Sequence, residues 1–233
     1  MMLMERDVVL SNNPSQKEIL KGINNLFKKH WLRGYSYIKR NPQSMRSRNL
    51  PHSIQTPLFA QYALYMQMLD KNVDKDFCEI SPEIKKEVQH WNNEGAYCIY
   101  MSILFYALLR KSKLVKEEDV SFYQGYYDFQ LRDDFPTFLS VSERQIEIHA
   151  WLTIQGSVVD ITANQNSYLF DFGFKEISVI LGNYDPDYRL VGFKETQDTI
   201  NTYLKKFSDY SGKTIDEWIN SHHKESAVQM QMA

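Results

Sequence analysis

Residues 147–162 read EIHAWLTIQGSVVDIT. Two apolar runs flank Gln155 and Gly156, a pair that suits a two-residue hairpin turn. This stretch constrains the fold more than any other, because the turn fixes which residues face each other. With a two-residue loop, Ile154 faces Ser157, Trp151 faces Asp160 and His149 faces Thr162. Facing residues share a sheet face, and so do residues two apart along a strand. His149, Trp151, Asp160 and Thr162 are therefore predicted to line one face, with His149 and Asp160 as diagonal neighbours. A slip of one residue would put the two on opposite faces.

The hydrophobic period of the chain changes near residue 119. Before that point the spacing is helical. Ile19, Leu20, Ile23, Leu26 and Phe27 follow the turn-forming SNNP, and residues 58–70 repeat the pattern. SPEIKKEVQHWNN (81–93) begins with a serine cap, a proline at the first helical position and a glutamate behind it. Ahead of residue 58, residues 41–57 hold three prolines among polar groups and read as a loop. After residue 119, DVSFYQGYYDFQL, the hairpin, EISVILG (176–182) and YRLVGF (188–193) read as strands. QDTINTYLKKF and TIDEWINSHH return to helical spacing. Helices first and an antiparallel sheet after them predict an α+β architecture. The division expected is a helical region or cap over 1–80, a core over 81–220 with C-terminal helices, and a flexible tail over 221–233.

Bulk properties narrow the function classes. A chain of 233 residues is long enough to bury a sizeable core. The net charge of −2 gives no global basic field, so nucleic acid is not an expected partner. Basic stretches at 28–40 and 45–49 read as a solvated helix face and a loop. The two cysteines, Cys78 and Cys98, make no disulfide framework and no metal-spaced pair. The N-terminus lacks the pattern of a signal peptide. The apolar run at 98–109 is far short of the ~20 residues needed to cross a bilayer. A soluble, cytoplasmic protein is expected, with export lacking a cleaved signal left open. Oligomeric state is not legible.

A histidine held by a carboxylate is a general base in search of a nucleophile. Cys98, in NNEGAYCIYMSILFYALLRKSK, is placed for that role. Gly95 interrupts the preceding segment, and from Cys98 onward the residues form an apolar helical block. Cys98 thus falls near the first turn of a buried helix, where the dipole and unpaired N–H groups favour negative charge on sulfur. Those N–H groups also suit an oxyanion. Each member has a plainer explanation as well: Cys98 as a small buried hydrophobe, His149 as a satisfied core histidine, Asp160 as a strand-edge residue in water. Together they form a nucleophile–base–orienter set. The amides of Gln89, Asn92 and Asn93, just before Cys98, are candidate oxyanion or substrate donors and equally candidate helix caps. Trp151 is a candidate substrate-binding residue. A metal site built from His149, Asp160 and one of His90, His222 or His223 has no supporting spacing; His222 and His223 read as exposed tail residues. No metal or cofactor is expected.

HAWLTIQGSVVDIT resembles the His-x-Trp … Asp-x-Thr signature of the transglutaminase-like branch of the papain-like cysteine enzymes, over about residues 90–165. In that superfamily a Cys opens a central helix, and the His and Asp follow on neighbouring antiparallel strands. The resemblance implies a papain-like, transglutaminase-like core in which Cys98 is the nucleophile, His149 the general base and acid, and Asp160 the orienting residue. Thr162 matches the threonine of the signature and Trp151 its aromatic. The family often has a glycine beside the Cys and an aromatic after it; here Gly95 stands three residues earlier and Ile99 follows. It implies cysteine-dependent acyl transfer from an amide of a protein or peptide through a thioester, as protease, deamidase or transglutaminase. EGAYCIYMSILFYALLR is also similar to the helix start of the arylamine N-acetyltransferases, which usually have a longer His-to-Asp interval. A catalytically inactive peptide- or protein-binding module on the same fold, using the aromatic stretch SFYQGYYDF, is the alternative from another class.

Overall fold

The computed structural model describes residues 58–59, 61–62, 65–66, 68–69, 80–128, 148–162, 180–182 and 189–232. All the described residues between 58 and 69 are helical. The expected N-terminal helix, the loop over 41–57, both basic stretches and Cys78 lie outside the described residues.

Helix α1 spans Pro82–Asn93. Its start follows the sequence signals: Ser81 Oγ accepts the Ile84 N–H at 3.4 Å, and Pro82 occupies the first turn, where a missing N–H costs nothing. Its buried stripe is Ile84, Glu87, Val88 and Trp91. Gly95 ends it. With φ at 68°, Gly95 donates to Asn92 O at 3.0 Å, and Ala96 donates to Trp91 O at 2.8 Å, the paired bonds of a Schellman cap. Such a left-handed residue is nearly free for glycine. The chain turns and restarts at once as α2, Tyr97–Lys111. This helix is apolar nearly all round, so it can only be a buried central helix. Arg110 and Lys111 at its last turn favour the negative end of its dipole.

A 3₁₀ turn at Glu117–Asp119 leads into β1, Val120–Asp128. The sheet then takes β2 (Ile148–Ile154), β3 (Ser157–Asp160), β4 (Ile180–Gly182) and β5 (Arg189–Lys194), in the order β4-β3-β2-β1-β5. Every pairing is antiparallel. Of the strand expected over 176–182, the last three residues are described, and they form β4. The β2–β3 turn has φ of 49° at Gln155 and 80° at Gly156, the two positive values of a type I′ turn. Its register is the one expected, with Ile154 facing Ser157 and Leu152 facing Val159.

That register sorts the two faces. Ala150, Leu152, Ile154, Val159, Val120 and Phe122 join one hydrophobic cluster with the side chains of α2. His149, Trp151, Asp160 and Thr162 alternate with them, and they too are buried. Trp151 stacks on Tyr123, its facing residue on β1, with ring centroids 5.8 Å apart, and its edge reaches β5. A Cβ on Gly192 would lie 2.7 Å from the Trp151 ring and 2.3 Å from the Gln124 carbonyl oxygen.

Two helices close the chain. In α3, Gln197–Ser211, Thr196 Oγ1 caps the Thr199 N–H at 3.2 Å, and Gly212 ends the helix with φ at 69°. Helix α4 spans Ile215–Met232 and opens with a reciprocal capping box. Glu217 N–H donates to Thr214 Oγ1 at 3.3 Å, and Thr214 N–H to the Glu217 carboxylate at 2.9 Å. Residues 221–232, expected within a flexible tail, are the last two thirds of α4. His222, expected in solvent, is fully buried. The reason lies in the polar partners that meet it there, which local sequence does not reveal. The observed class is α+β, and among the described residues no helix is long and apolar enough to cross a membrane.

Candidate active site

The site grows from the cap of α1. Because Gly95 reverses the chain within three residues, α2 begins at Tyr97 and Cys98 is its second residue. Ala96 is the N-cap and offers no side-chain hydrogen bond. The expectation of an asparagine cap for α2 is thus replaced by an uncapped start, whose first N–H groups are not met by the capping residue. Cys98 is 4% exposed.

The hairpin supplies the other two members. His149 Nε2 donates to Asp160 Oδ2 at 2.8 Å, between side chains 2% and 0% exposed. The second carboxylate oxygen, Oδ1, accepts the Thr162 backbone N–H at 3.0 Å and the Thr162 hydroxyl at 3.3 Å. Thr162 therefore aims the carboxylate, and the carboxylate aims the ring. With Nε2 committed to Asp160, Nδ1 is the nitrogen left for the Cys98 side chain, which hydrogen-bonds to His149. Burial of the ring opposes its charge. The charge and hydrogen bond of Asp160, with the hydrogen bond and charge of Cys98, outweigh it and raise His149 to about 10. The imidazolium is thus the favoured form at neutral pH. Trp151 lies alongside with its ring nearly parallel to that of His149, at a centroid distance of 6.2 Å and an angle of 15°.

The structure thus brings together Cys98, His149, Asp160, Thr162 and Trp151. Gln89 and Asn93 are exposed on α1 and are not part of this buried set. Comparison with known proteins finds no matching family model, no matching curated protein and no matching solved structure.

A second buried polar set escaped the sequence analysis. Trp218 Nε1 donates to Glu87 Oε1 at 2.6 Å. His222 lies between two tyrosines, with Tyr65 OH 2.5 Å from Nδ1 and Tyr100 OH 2.9 Å from Nε2. Burial, reinforced by the positive charge of Lys213, lowers His222 to about 3, so the ring is neutral. Its 3.9 Å approach to Glu87 is for that reason not an ion pair. A neutral imidazole has one donor and one acceptor nitrogen, so one tyrosine donates to it and the other accepts. Burial also raises Glu87 to about 7, against the opposing hydrogen bond from Trp218 and the charge of Lys213. One local signal was present: Glu87 sits within the apolar stripe of Ile84, Val88 and Trp91. Among the described residues no group of His, Cys, Asp and Glu is arranged to hold a metal ion.

Proposed function

We propose that the protein is a cysteine-dependent acyl-transfer enzyme of the papain-like, transglutaminase-like type, acting on an amide of a protein or peptide. The observation that carries this reading is the buried chain of contacts from Thr162 through Asp160 and His149 to Cys98.

In the reaction, the Cys98 proton resides on His149 Nδ1 and the sulfur attacks the amide carbonyl carbon. The carbonyl π pair moves to oxygen, where the N–H groups and dipole at the start of α2 stabilise it. Collapse of this intermediate breaks the C–N bond, and the amine leaves with the proton from His149. The product on the enzyme is a thioester. Water or an amine then gives its proton to His149 and attacks the thioester carbon, and the C–S bond breaks. Water yields hydrolysis or deamidation, and an amine yields transfer. Asp160 keeps Nε2–H fixed and the imidazolium stabilised throughout.

A second reading has its own observation. Cys98 and His149 are both almost wholly buried, as expected for residues kept for structure in a binding module. The test is the rate of Cys98 alkylation between pH 5 and 9, in the parent and in His149→Ala. The enzyme reading expects fast alkylation at neutral pH that His149→Ala slows by a factor of ten or more. Equal rates and equal pH profiles would sink it and leave the binding module.

A further inference from the structure

Besides the contact of Cys98 with His149, a second hydrogen bond joins the two elements that carry the sulfur and the imidazole. Ser102 lies one helical turn after Cys98 on the same face of α2. It is 1% exposed, and its hydroxyl donates to the Ala150 carbonyl oxygen at 3.1 Å. Ala150 is the residue after His149 on β2, and it is fully buried. A serine inside a helix has a nearer acceptor, the carbonyl four residues back, which here would be that of Cys98 itself. Ser102 reaches across to the strand instead. Ala150, Leu152, Ile154 and Phe122 on this face pack against α2 through apolar contacts. Such contacts hold the helix against the sheet without fixing its position along the strand, because they are non-directional. A hydrogen bond weakens steeply with misalignment.

We propose that Ser102 is a positioning residue for the Cys98–His149 pair. It pins the second turn of α2, one turn beyond Cys98, to β2 and so sets how far the sulfur stands from the ring. This assignment rests on the acyl-transfer reading of the site. Misplacing reacting groups by about 1 Å can cost on the order of 100-fold in rate. Partial loss of the pin, with the apolar packing intact, is expected to cost roughly tenfold.

The test uses the full-length chain and two small probes, iodoacetate and iodoacetamide. An imidazolium beside the sulfur favours the anionic reagent, so the ratio of their rates reports how close the ring stands. Ser102→Ala is expected to slow alkylation roughly tenfold and to lower that ratio. Ser102→Thr and Ser102→Val have nearly the same volume and differ in the hydroxyl, so Thr should retain parental behaviour and Val should behave as Ala. This pair keeps the test valid if the Ala variant does not fold. Ile103→Val, at a fully buried position on the same helix, is the control for general softening and should change neither quantity. Matching rates in the Thr and Val variants, or an equal loss in Ile103→Val, would overturn the assignment while His149 dependence survives in the parent. Loss of His149 dependence in the parent removes the acyl-transfer reading, and the positioning role with it.

Discussion

Glu87→Gln should stabilise the protein above pH 7 and do almost nothing near pH 4. The Glu87 carboxyl is 5% exposed and is raised from 4.5 to about 7 in the folded chain, burial being the main cause. In the unfolded chain it ionises at its ordinary value. Between those two values the native state therefore binds more protons than the unfolded state, so stability falls as pH rises through the window. A difference of about 2.5 units at 1.36 kcal/mol each amounts to ~3 kcal/mol, present in full above pH 7. Glutamine resembles the protonated carboxyl, and its carbonyl oxygen can still accept the Trp218 N–H. It should recover most of that penalty. In a chain of this size, such a gain raises Tm at pH 8 by roughly 6–12 °C. His222 acts in the opposite sense, since its folded value of about 3 lies below the ordinary 6.5. A histidine held neutral makes stability rise with pH between those values. The two slopes offset each other in the parent between about pH 4.5 and 6.5, and the variant should expose the rising slope of His222. Urea unfolding of both proteins at pH 4, 5, 6 and 8 measures this. A parent-to-variant difference that is the same at every pH, or a variant less stable at pH 8, would refute the reasoning.

Other outcomes follow from the same geometry. Asp160→Ala leaves a buried imidazole without its carboxylate and two Thr162 donors without an acceptor; urea unfolding should register a loss of about 3–5 kcal/mol. Thr162→Val keeps the backbone bond to Asp160 and removes the hydroxyl one, so the loss should be about 1 kcal/mol, read in the same way. Gly192→Ala forces β5 or the Trp151 ring to move and should cost about 1–3 kcal/mol in thermal or urea unfolding. His149, raised to about 10, should carry its charge through neutral pH. The preference of Cys98 for iodoacetate over iodoacetamide should therefore persist from pH 6 to 9 and fade as pH rises through about 10. Its contribution to stability is likewise complete below the ordinary value near 6.5 and lost through about 10.

Much of the site was legible because its determinants are local. Gln155 and Gly156 fix a turn, the turn fixes a register, and the register alone brings His149 beside Asp160. Gly95 in the same way announces where α2 can begin, and hence where Cys98 sits. What local patterns could not convey is pairing across long stretches of chain. Ser102 reads as one polar residue in an apolar helix, and its partner is 48 residues away. His222 reads as a tail residue until Tyr65 and Tyr100 are placed around it, 157 and 122 residues earlier. Glu87 interrupts an apolar stripe, but nothing nearby names Trp218 as the donor that meets it. The α+β class itself came from a change of hydrophobic period near residue 119, a property summed over many residues and so insensitive to any one.

The bonds between residues 61–65 and 222–226 also set a timetable. Gln61 meets Ser226, Tyr62 meets His223 and Tyr65 meets His222, at separations of 165, 161 and 157 residues. At ordinary rates of synthesis, the second member of each pair emerges on the order of ten seconds or more after the first. During that interval Glu87 on α1 and Tyr100 on α2 face no α4, and the almost wholly apolar α2 is left uncovered on that side. The growing chain is thus most vulnerable to association and to proteolysis after Cys98, His149 and Asp160 have been made and before α4 arrives. Ribosome-bound chains stopped at residue 215 should be cut rapidly by protease, whereas longer ones with all of α4 outside the exit tunnel should resist. Equal resistance would mean that the core closes without α4.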